Sequence, residues 1–531
     1  MHINKLIVKN YRMLKNVEAK FNEHLNIIVG DNECGKTTLI EAINLALSGQ
    51  LNGRNIKYEL HPFLFNVTTV KEYIEDLKDG KTPSPPDILI ELYLDADDRL
   101  ESLRGSNNEF REDCPGIKLS IKFDDTYEKE YSEFIKSPEK IKSIPVDYYD
   151  VDWLSFRNSK ITSRSIPIKP THIDASTIRH NMGASRYVLD IINDHLEAAQ
   201  RVELALAYRK MKDHFLDDNG VKAINAHLAT KKGIISNKNL SVSLDSTSRA
   251  NWESGIMPLL DEIPFPLVGA GEQNNVKIKL AMDADIDTHV FLIEEPENHL
   301  SHHNLNYLIH SISENSSNKQ LIITTHSSFV LNKLGIENVL LFTKNENITL
   351  RDLSEDTYDY FMKLPGHDTL RLILAHRAIL VEGPSDELIV QKAFKKIHNC
   401  SPLAKGVDVI SVKSLAFKRF LEIADLLKIE THVITDNDGD VEALKNKYQD
   451  YLNHEKISIH YNEDENYPTL EPQLLKANDI ATLNKALGKN LATDTELLAY
   501  MKNNKTDCAL KIFNSEEDVI IPDYINDAIP Q

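Results

Sequence analysis

The chain has 531 residues, enough for about two to four domains with separate cores. Its formal net charge of −20 argues against a surface that binds nucleic acid everywhere, because such affinity comes largely from lysine and arginine. It has no apolar run long enough to span a membrane, and the start "MHINKLIVKNYR" lacks a signal peptide's apolar centre. The four cysteines are too scattered for a zinc motif or a disulfide framework. We therefore expect a cytoplasmic protein that has no membrane partner.

Residues 1 to about 165 predict short strands, among them "KLIVKNYR", "HLNIIVG" and "DILIELYLDADD", around one strong helix, "KTTLIEAINLALSG". From about 170 to 235 the apolar residues recur at three-to-four spacing, which predicts a helical insert. Strands return in "HVFLIEE", "QLIITTH" and "NVLLFTK". From about 370 strands and helices alternate again, which is typical of a second α/β domain.

The segment "GDNECGKT", Gly30 to Thr37, matches the phosphate-loop pattern G-x-x-x-x-G-K-[ST] between a predicted strand and a predicted helix. Backbone N–H groups of such a loop cradle phosphates, the lysine reaches the terminal phosphates and the hydroxyl ligates Mg²⁺. The sequence therefore predicts a nucleotide site, and its candidate residues are Gly30, Asn32, Gly35, Lys36, Thr37 and Thr38.

Two acids follow the apolar strand "HVFLI", where a nucleotide hydrolase needs carboxylates for Mg²⁺ and for the attacking water. Glu294 is the candidate metal ligand and Glu295 the candidate catalytic acid. The alternative is an ordinary helix start, since Pro296 suits a first turn and acids favour that end of a helix. His326 ends the next strand, where it could sense the terminal phosphate.

These segments resemble the ABC-type ATPase heads of the SMC, RecF and Rad50 group. The opening "NYRMLKNVEAKFNEHLNIIVGDNECGKTTLIEAI" has that group's first strand with its Arg12, and "VGAGEQNNVKIKLAM" stands in the place of its signature motif. The resemblance implies that Gly269, Gly271, Glu272 and Gln273 contact ATP bound to another subunit, and hence a homodimer or higher oligomer. The signature departs from the usual Ser-Gly-Gly, and Glu294 stands where Asp is commoner.

The segment "THVITDNDGD" brings Asp436, Asp438 and Asp440 to the end of a predicted buried strand. A polar turn is one explanation, because Asp, Asn and Gly favour turns. A metal site is the other, and "ILVEGPSDE" supplies Glu382 and Asp386 at a second strand end. If the two strands are neighbours in a parallel sheet, the acids meet at one edge and require bound cations. An EF-hand is excluded because Val441 and Lys447 occupy its Gly and Glu positions.

A Glu followed two strands later by Asp-x-Asp resembles the Toprim domain, and the whole chain resembles the OLD (overcoming lysogenization defect) family of ATP-powered nucleases. The resemblance implies an α/β fold with an ABC ATPase N-terminal lobe at 1–168, a helical dimerisation insert at 169–237, an ABC C-terminal lobe at 238–365 and a Rossmann-like Toprim domain at 366–531. By the same resemblance Glu382, Asp386, Asp436, Asp438 and Glu471 would hold metals. Lys505 would stabilise the transition state, with Lys502 and Lys511 as alternatives.

The sequence thus predicts an ATP-regulated DNA endonuclease that uses Mg²⁺ or Mn²⁺, with DNA, ATP and its own copies as partners. The OLD resemblance adds a role in anti-phage defence and an accessory protein or nucleic acid. Lys413, Lys418 and Arg419 are a candidate DNA patch or simply a solvated helix face. The alternatives are an ATP-driven clamp or sensor with a non-cleaving Toprim domain, and a topoisomerase or primase. No zinc-ribbon cysteines support a primase, and no feature marks one of the 19 tyrosines as the covalent nucleophile of a topoisomerase.

Overall fold

The computed structural model supplies the architecture. It describes residues 1–30, 33–174, 188, 196–232, 238–244, 256–283, 288–298, 300–315, 319–327, 330–331, 334, 338–342, 347–349, 353–354, 356–357, 360, 371–412 and 417–530. Asn32 and Lys413 lie outside these residues. Within the described part, no helix is both long enough and apolar enough to cross a membrane.

Twenty strands are described. In chain order they are β1 Ile3–Tyr11, β2 Leu14–Lys20, β3 Leu25–Val29, β4 Gln50–Leu51, β5 Arg54–Asn55, β6 Ile88–Leu94, β7 Arg104–Gly105, β8 Cys114–Phe123, β9 Tyr149–Ser155, β10 Pro170–Asp174, β11 Leu259–Leu260, β12 Ile263–Pro264, β13 Val290–Glu294, β14 Gln320–Thr324, β15 Val339–Phe342, β16 Asn347–Thr349, β17 Arg377–Val381, β18 Val407–Ser411, β19 Glu430–Ile434 and β20 Ile457–His460.

The described α-helices are numbered in the same way. They are α1 Lys36–Ser48, α2 Val67–Lys78, α3 Glu128–Phe134, α4 Ala198–Asp217, α5 Asn219–Ala229, α6 Ala270–Asp283, α7 His302–Asn315, α8 Pro384–His398, α9 Phe417–Leu426, α10 Val441–Lys447, α11 Leu470–Ala477, α12 Ile480–Leu487, α13 Asp494–Asn503, α14 Lys505–Asn514 and α15 Asp523–Asp527.

The chain divides into two compact units, and the division passes through the phosphate loop. The first unit comprises Met1–Leu25 and Thr37–Thr325, and the second comprises Asn26–Lys36 and His326–Gln531. These limits do not coincide with the predicted boundaries at 168, 237 and 365. The four-part division of the chain therefore stays a prediction.

The first unit contains an antiparallel sheet and a set of parallel strands. The antiparallel sheet has the order β2-β1-β6-β8-β7, and β9 pairs with β8. The parallel strands are β10, β13 and β14, paired in that order. Gln320 at the start of β14 exchanges two 2.8 Å hydrogen bonds with the backbone of Ile3 in β1. This buried amide fixes the antiparallel sheet against the parallel strands.

The helical insert begins later than the sequence predicts. Pro170–Asp174 form β10 and pair in parallel with β13 in continuous register, whereas the periodicity predicts helix from about residue 170. The described helices of this region are α4 and α5. Val202, Leu206 and Met211 of α4 are each about half exposed, so the helix presents apolar side chains to its surroundings.

In the second unit, β3 pairs in parallel with β15, and β16 adds antiparallel to β15. All five residues of β3 are buried, as expected for an interior parallel strand. Residues 371–530 form a separate four-stranded parallel sheet of order β18-β17-β19-β20. Its α/β alternation agrees with the fold predicted for the second α/β domain.

Local sequence explains why α8 follows β17 so closely. Gly383 is the N-cap residue, Pro384 occupies the first turn, and Asn399 ends the helix in the left-handed conformation. The buried face of α8, including Ile389 and Phe394, packs in a core with the helices after β20. A rigid helix therefore begins directly after the strand that carries Glu382.

Candidate functional site

The phosphate loop has the shape that an anion-binding turn requires. Gly35 has a φ of 106° and Glu33 a φ of 63°, so the backbone turns through left-handed conformations. Lys36 is buried, and its Nζ donates to the Gly30 carbonyl at a distance of 2.9 Å. The ammonium is thereby held against the loop. Thr37 is exposed and Thr38 is buried in the first turn of α1. Backbone N–H groups in the first turn of a helix donate hydrogen bonds to anions.

Gly30 is required by the close approach of another strand. A Cβ atom at this position would lie 2.2 Å from the carbonyl oxygen of Phe342 in β15 and 2.9 Å from Cys34 Sγ. The first is a backbone atom of a buried strand and cannot move aside. The first glycine of the motif is therefore fixed by packing as well as by its proposed phosphate contact.

Arg12 is anchored to the helix that follows the phosphate loop. Its Nη1 lies 3.1 Å from Glu41 Oε2 of α1, and the Tyr11 hydroxyl also donates to Glu41. Arg12 has a φ of 47°, and its backbone N–H donates to the Leu64 carbonyl. The turn between β1 and β2 is therefore fixed on α1, and about one third of the Arg12 side chain remains exposed.

The predicted signature residues lie at the start of α6. Gly269 and Glu272 are exposed, and Gly271 is half-buried in the first turn. Gln273 is buried, and its amide donates to the Val268 carbonyl at 2.7 Å. This side chain therefore closes the turn before α6, while Gly269 and the helix N-terminus face solvent. Their contact with ATP of another subunit stays a prediction.

Glu294 and Glu295 differ in their surroundings. Glu294 is buried, and its Oε1 lies 2.8 Å from His172 Nε2 on the neighbouring β10. Glu295 has a φ of 45° and accepts a 2.6 Å hydrogen bond from Asn298 Nδ2. His172 is a residue that the sequence analysis missed, since only the pairing of β10 with β13 brings it to Glu294. His326, in the second unit, is half-buried after β14.

The second candidate site lies at the carboxyl ends of β17 and β19. These strands are direct neighbours in parallel register, with Val381 opposite Ile434. Glu382 follows β17, and its Oε1 accepts from Thr435 Oγ1 at 2.7 Å and from the Asp436 N–H at 3.0 Å. The acid after one strand is therefore bonded to the end of the other, as the sequence predicts if the two strands are adjacent.

Asp386 and Asp436 belong to one half-buried group of acids. Burial and the nearby Glu382 raise the pKa of Asp386 to about 7. Burial and the neighbouring Asp386 and Glu382 raise the pKa of Asp436 to about 8. Asp386 also accepts from the Gly383 N–H at 3.0 Å, which caps α8. Two carboxyl groups are therefore held partly protonated at neutral pH because their anionic forms repel one another.

Asp438 and Asp440 are both exposed, unlike Asp436. Asp438 has a φ of 52°, and Asp440 caps α10 by accepting from the Ala443 N–H at 2.8 Å. Asn437, buried between Asp436 and Asp438, donates to the carbonyls of Asn462 and Asp464. Asp440 therefore serves as a helix cap in this turn, whereas Asp436 lies within the half-buried group of acids.

Glu471 and Lys505 complete the site. Glu471 is buried on α11, accepts from Thr469 Oγ1 at 3.0 Å, and lies 3.6 Å from Lys505 Nζ. Lys511, one of the alternatives to Lys505, instead pairs with Asp507 at 2.8 Å. Among the candidate lysines, the geometry thus favours Lys505 as the cation beside the acids.

Tyr524 of α15 also adjoins the acids, although no sequence pattern indicated it. Burial, together with the charges of Asp436, Asp386, Glu382 and Glu471, raises the pKa of the Tyr524 phenol well above its ordinary value. A half-buried neutral phenol near these four acids further lowers the polarity of their surroundings. It thereby increases the cost of leaving the acids ionised without a cation.

The donor set fits a hard divalent cation such as Mg²⁺ or Mn²⁺, because all of its members are carboxylates. In the described part of the chain, however, no group of three or more His, Cys, Asp or Glu side chains stands in an arrangement that could hold a metal ion. The assignment of Glu382, Asp386, Asp436, Asp438, Asp440 and Glu471 as metal ligands therefore stays a prediction.

Three family models match the chain. The "Overcoming lysogenization defect protein-like, TOPRIM domain" matches residues 373–438, and an "AAA domain" matches residues 5–226. A second AAA model, "AAA domain, putative AbiEii toxin, Type IV TA system", matches residues 258–332. This combination of domains is similar to the ATPase–Toprim architecture of the OLD family. The matches confirm the α/β fold class and an ATPase domain that precedes an OLD-like Toprim domain.

Individual relatives match the chain more narrowly. DNA replication and repair protein RecF of Acetivibrio thermocellus is 46% identical over 50 residues, 9% of this chain and 14% of that protein. RecF of Alkaliphilus oremlandii is 35% identical over 97 residues, 18% of this chain and 25% of that protein. The crystal structure of the SmcHead bound to the C-winged helix domain of ScpA aligns with a TM-score of 0.35 at 16% identity, covering 66% of this chain and 96% of that one. The chain thus covers a quarter or less of these RecF proteins.

Proposed function

We propose that the protein is a divalent-metal-dependent DNA endonuclease whose Toprim domain hydrolyses phosphodiester bonds under the control of its ATPase domain. The observation that carries the proposal is the group formed by Glu382, Asp386 and Asp436 at the carboxyl ends of two adjacent parallel strands. Such a group is costly unless cations neutralise it. An acidic chain without a general basic surface then meets DNA phosphates through bound metal.

In this proposal Mg²⁺ or Mn²⁺ supplies Lewis-acid activation of water and neutralises the phosphate. The chain's own side chains position the carboxylates that would hold the metal and a lysine beside them. Glu382 is fixed by Thr435, Glu471 is fixed by Thr469, and Lys505 places a positive charge beside Glu471. Lys505 is therefore the residue we propose to stabilise the developing charge on the phosphate.

The ATPase domain controls access or assembly in this proposal. Lys36 and the N-terminus of α1 bind the ATP phosphates, Glu294 holds Mg²⁺, and His172 fixes the Glu294 carboxylate. Gly269 and the first turn of α6 would reach ATP bound to a second copy of the chain. The domain matches support ATP binding, and the homodimer and the anti-phage role belong to the proposal.

The test is plasmid cleavage with Mg²⁺ or Mn²⁺, with and without ATP. We expect the unmodified protein to nick or cut, Asp436→Asn to abolish cutting and Lys36→Ala to change only its dependence on ATP. Asp425→Asn, an exposed acid that pairs with His454, is the matched control. If the protein binds DNA with ATP but never cuts with either metal, the clamp or sensor alternative replaces the nuclease. Protection of a bacterial host from phage, lost in Asp436→Asn, tests the defence role separately.

A further inference from the structure

A pair of histidines lies in the same domain, outside the group of acids. His432 is in the middle of β19, and His460 ends β20, the neighbouring parallel strand. His432 Nδ1 and His460 Nε2 are 3.1 Å apart, and both rings are partly buried. Two imidazole nitrogens, 28 residues apart in the chain, thus meet between neighbouring strands.

The surroundings of the pair are anionic on both sides. Glu430 Oε1 lies 3.7 Å from His432 Nε2, and Glu430 itself pairs with Arg377 at 3.2 Å. Within the described residues, His432 Nε2 is buried and has no hydrogen-bond partner. The negative charge of Asp527, on α15, acts on His460. A carboxylate behind a metal-binding imidazole is the usual outer partner in such sites, because it orients the ring and increases its basicity.

Both imidazoles are neutral at physiological pH. Burial and the neighbouring His432 lower the pKa of His460 to about 4, and burial also lowers the pKa of His432. Neutral imidazole is the form that binds transition metals, so no proton has to be displaced from a cationic ring.

We propose that His432 and His460 form a binding site for a transition-metal cation of the Zn²⁺ class, separate from the acids of the Toprim edge. Zinc–imidazole bonds are about 2.0–2.1 Å long. Two such bonds to nitrogens 3.1 Å apart enclose an angle of about 100°, within the range of tetrahedral and octahedral coordination. Nitrogen donors suit Zn²⁺, Cu²⁺ and Ni²⁺, whereas the acids suit Mg²⁺ and Mn²⁺. Water would complete the coordination of a cation held by two protein ligands.

Such a cation would link β19 to β20, the terminal strand of the described sheet. The chain after β20 accepts the two hydrogen bonds of Asn437, the residue next to Asp436. Fixing His460 therefore steadies the segment that holds the aspartate loop. The bound cation would stabilise the loop that carries Asp436 and would take no part in phosphodiester hydrolysis.

The test is Zn²⁺ binding to the full chain in excess Mg²⁺, measured by competition with a chromophoric chelator. We expect one Zn²⁺ per chain, with binding weakened more than about 10-fold in both His432→Gln and His460→Gln, and about 10-fold in Glu430→Gln. His454→Gln, a histidine of the same domain that pairs with Asp425, is the matched control and should bind like the unmodified protein.

Two further measurements keep the outcome clear. X-ray absorption of the Zn²⁺-loaded protein should show two imidazole nitrogens at about 2.0–2.1 Å, and Asp436→Asn should keep that signal. Zn²⁺ should raise the melting temperature of the unmodified protein but not of His460→Gln. If both histidine variants bind Zn²⁺ as tightly as the unmodified protein, or if binding is lost in Asp436→Asn alone, the proposal is overturned and the pair is a simple hydrogen bond between two imidazoles. Metal-free melting temperatures show whether the variants fold.

Discussion

Binding of Mg²⁺ or Mn²⁺ to the Toprim acids should release protons, because two of these carboxyl groups hold protons at neutral pH when no metal is bound. A carboxyl with a pKa of about 8, as for Asp436, is about nine-tenths protonated at pH 7. One with a pKa of about 7, as for Asp386, is about half protonated. Metal ligands must be deprotonated, so we expect a release of about 1.4 protons per chain at pH 7 and about 0.1 at pH 9.

The same shifts set the pH dependence of stability without metal. Both carboxyl groups have folded-state pKa values raised above their unfolded ones, so the folded state binds more protons between about pH 4 and pH 8. The stability of the metal-free protein should therefore be greatest toward the acidic end of this window and fall as pH rises through it. Bound metal should remove this dependence, since it replaces the protons.

Isothermal titration calorimetry without nucleotide measures the proton release, by comparing binding heats in two buffers of different ionisation enthalpy. Asp436→Asn should reduce the release at pH 7 to about 0.5 protons, since Asp386 owes its raised pKa to burial and Glu382. Asp425→Asn should leave it unchanged. Metal binding with no proton release at pH 7 would refute the inference that these acids are held protonated by their surroundings.

Three further predictions concern the residues around the two candidate sites. Thr435→Val should lower the rate of metal-dependent cleavage about 10- to 100-fold, because it removes the hydroxyl that donates to Glu382. The control Thr431→Val loses only a hydrogen bond to the Ile429 carbonyl and should leave the rate unchanged. Equal cleavage rates in the two variants would contradict this prediction. Lys505→Ala should abolish cleavage in the plasmid assay, whereas Lys511→Ala should retain it. The reverse result would assign the catalytic role to Lys511, in a later turn of α14. His172→Gln should lower the kcat of ATP hydrolysis at least about 10-fold with little change in ATP affinity, because it removes the imidazole that contacts Glu294. Steady-state kinetics and nucleotide binding measure the two quantities. An unchanged kcat would show that the Glu294 carboxylate does not need His172.

The sequence by itself determined the local features. The phosphate loop, the strands β1, β3, β13 and β19 and the acids at strand ends depend on short-range patterns of apolar and polar residues, and the structure confirms these elements. The matches to AAA and Toprim models confirm the order of the domains. Such features are readable because a strand buried on both faces and a glycine-rich turn each leave a local signature.

The tertiary structure decided which residues meet. The sequence required β17 and β19 to be neighbours, and only the sheet order shows that they are, although β18 lies between them in the chain. His172 reaches Glu294, and His432 reaches His460, through pairing of strands distant in sequence. The same sheet geometry places Asp436 among half-buried acids but leaves Asp440 as a helix cap. Alternation along a strand predicts the face of a residue, whereas its partners depend on strand order, which local patterns do not encode.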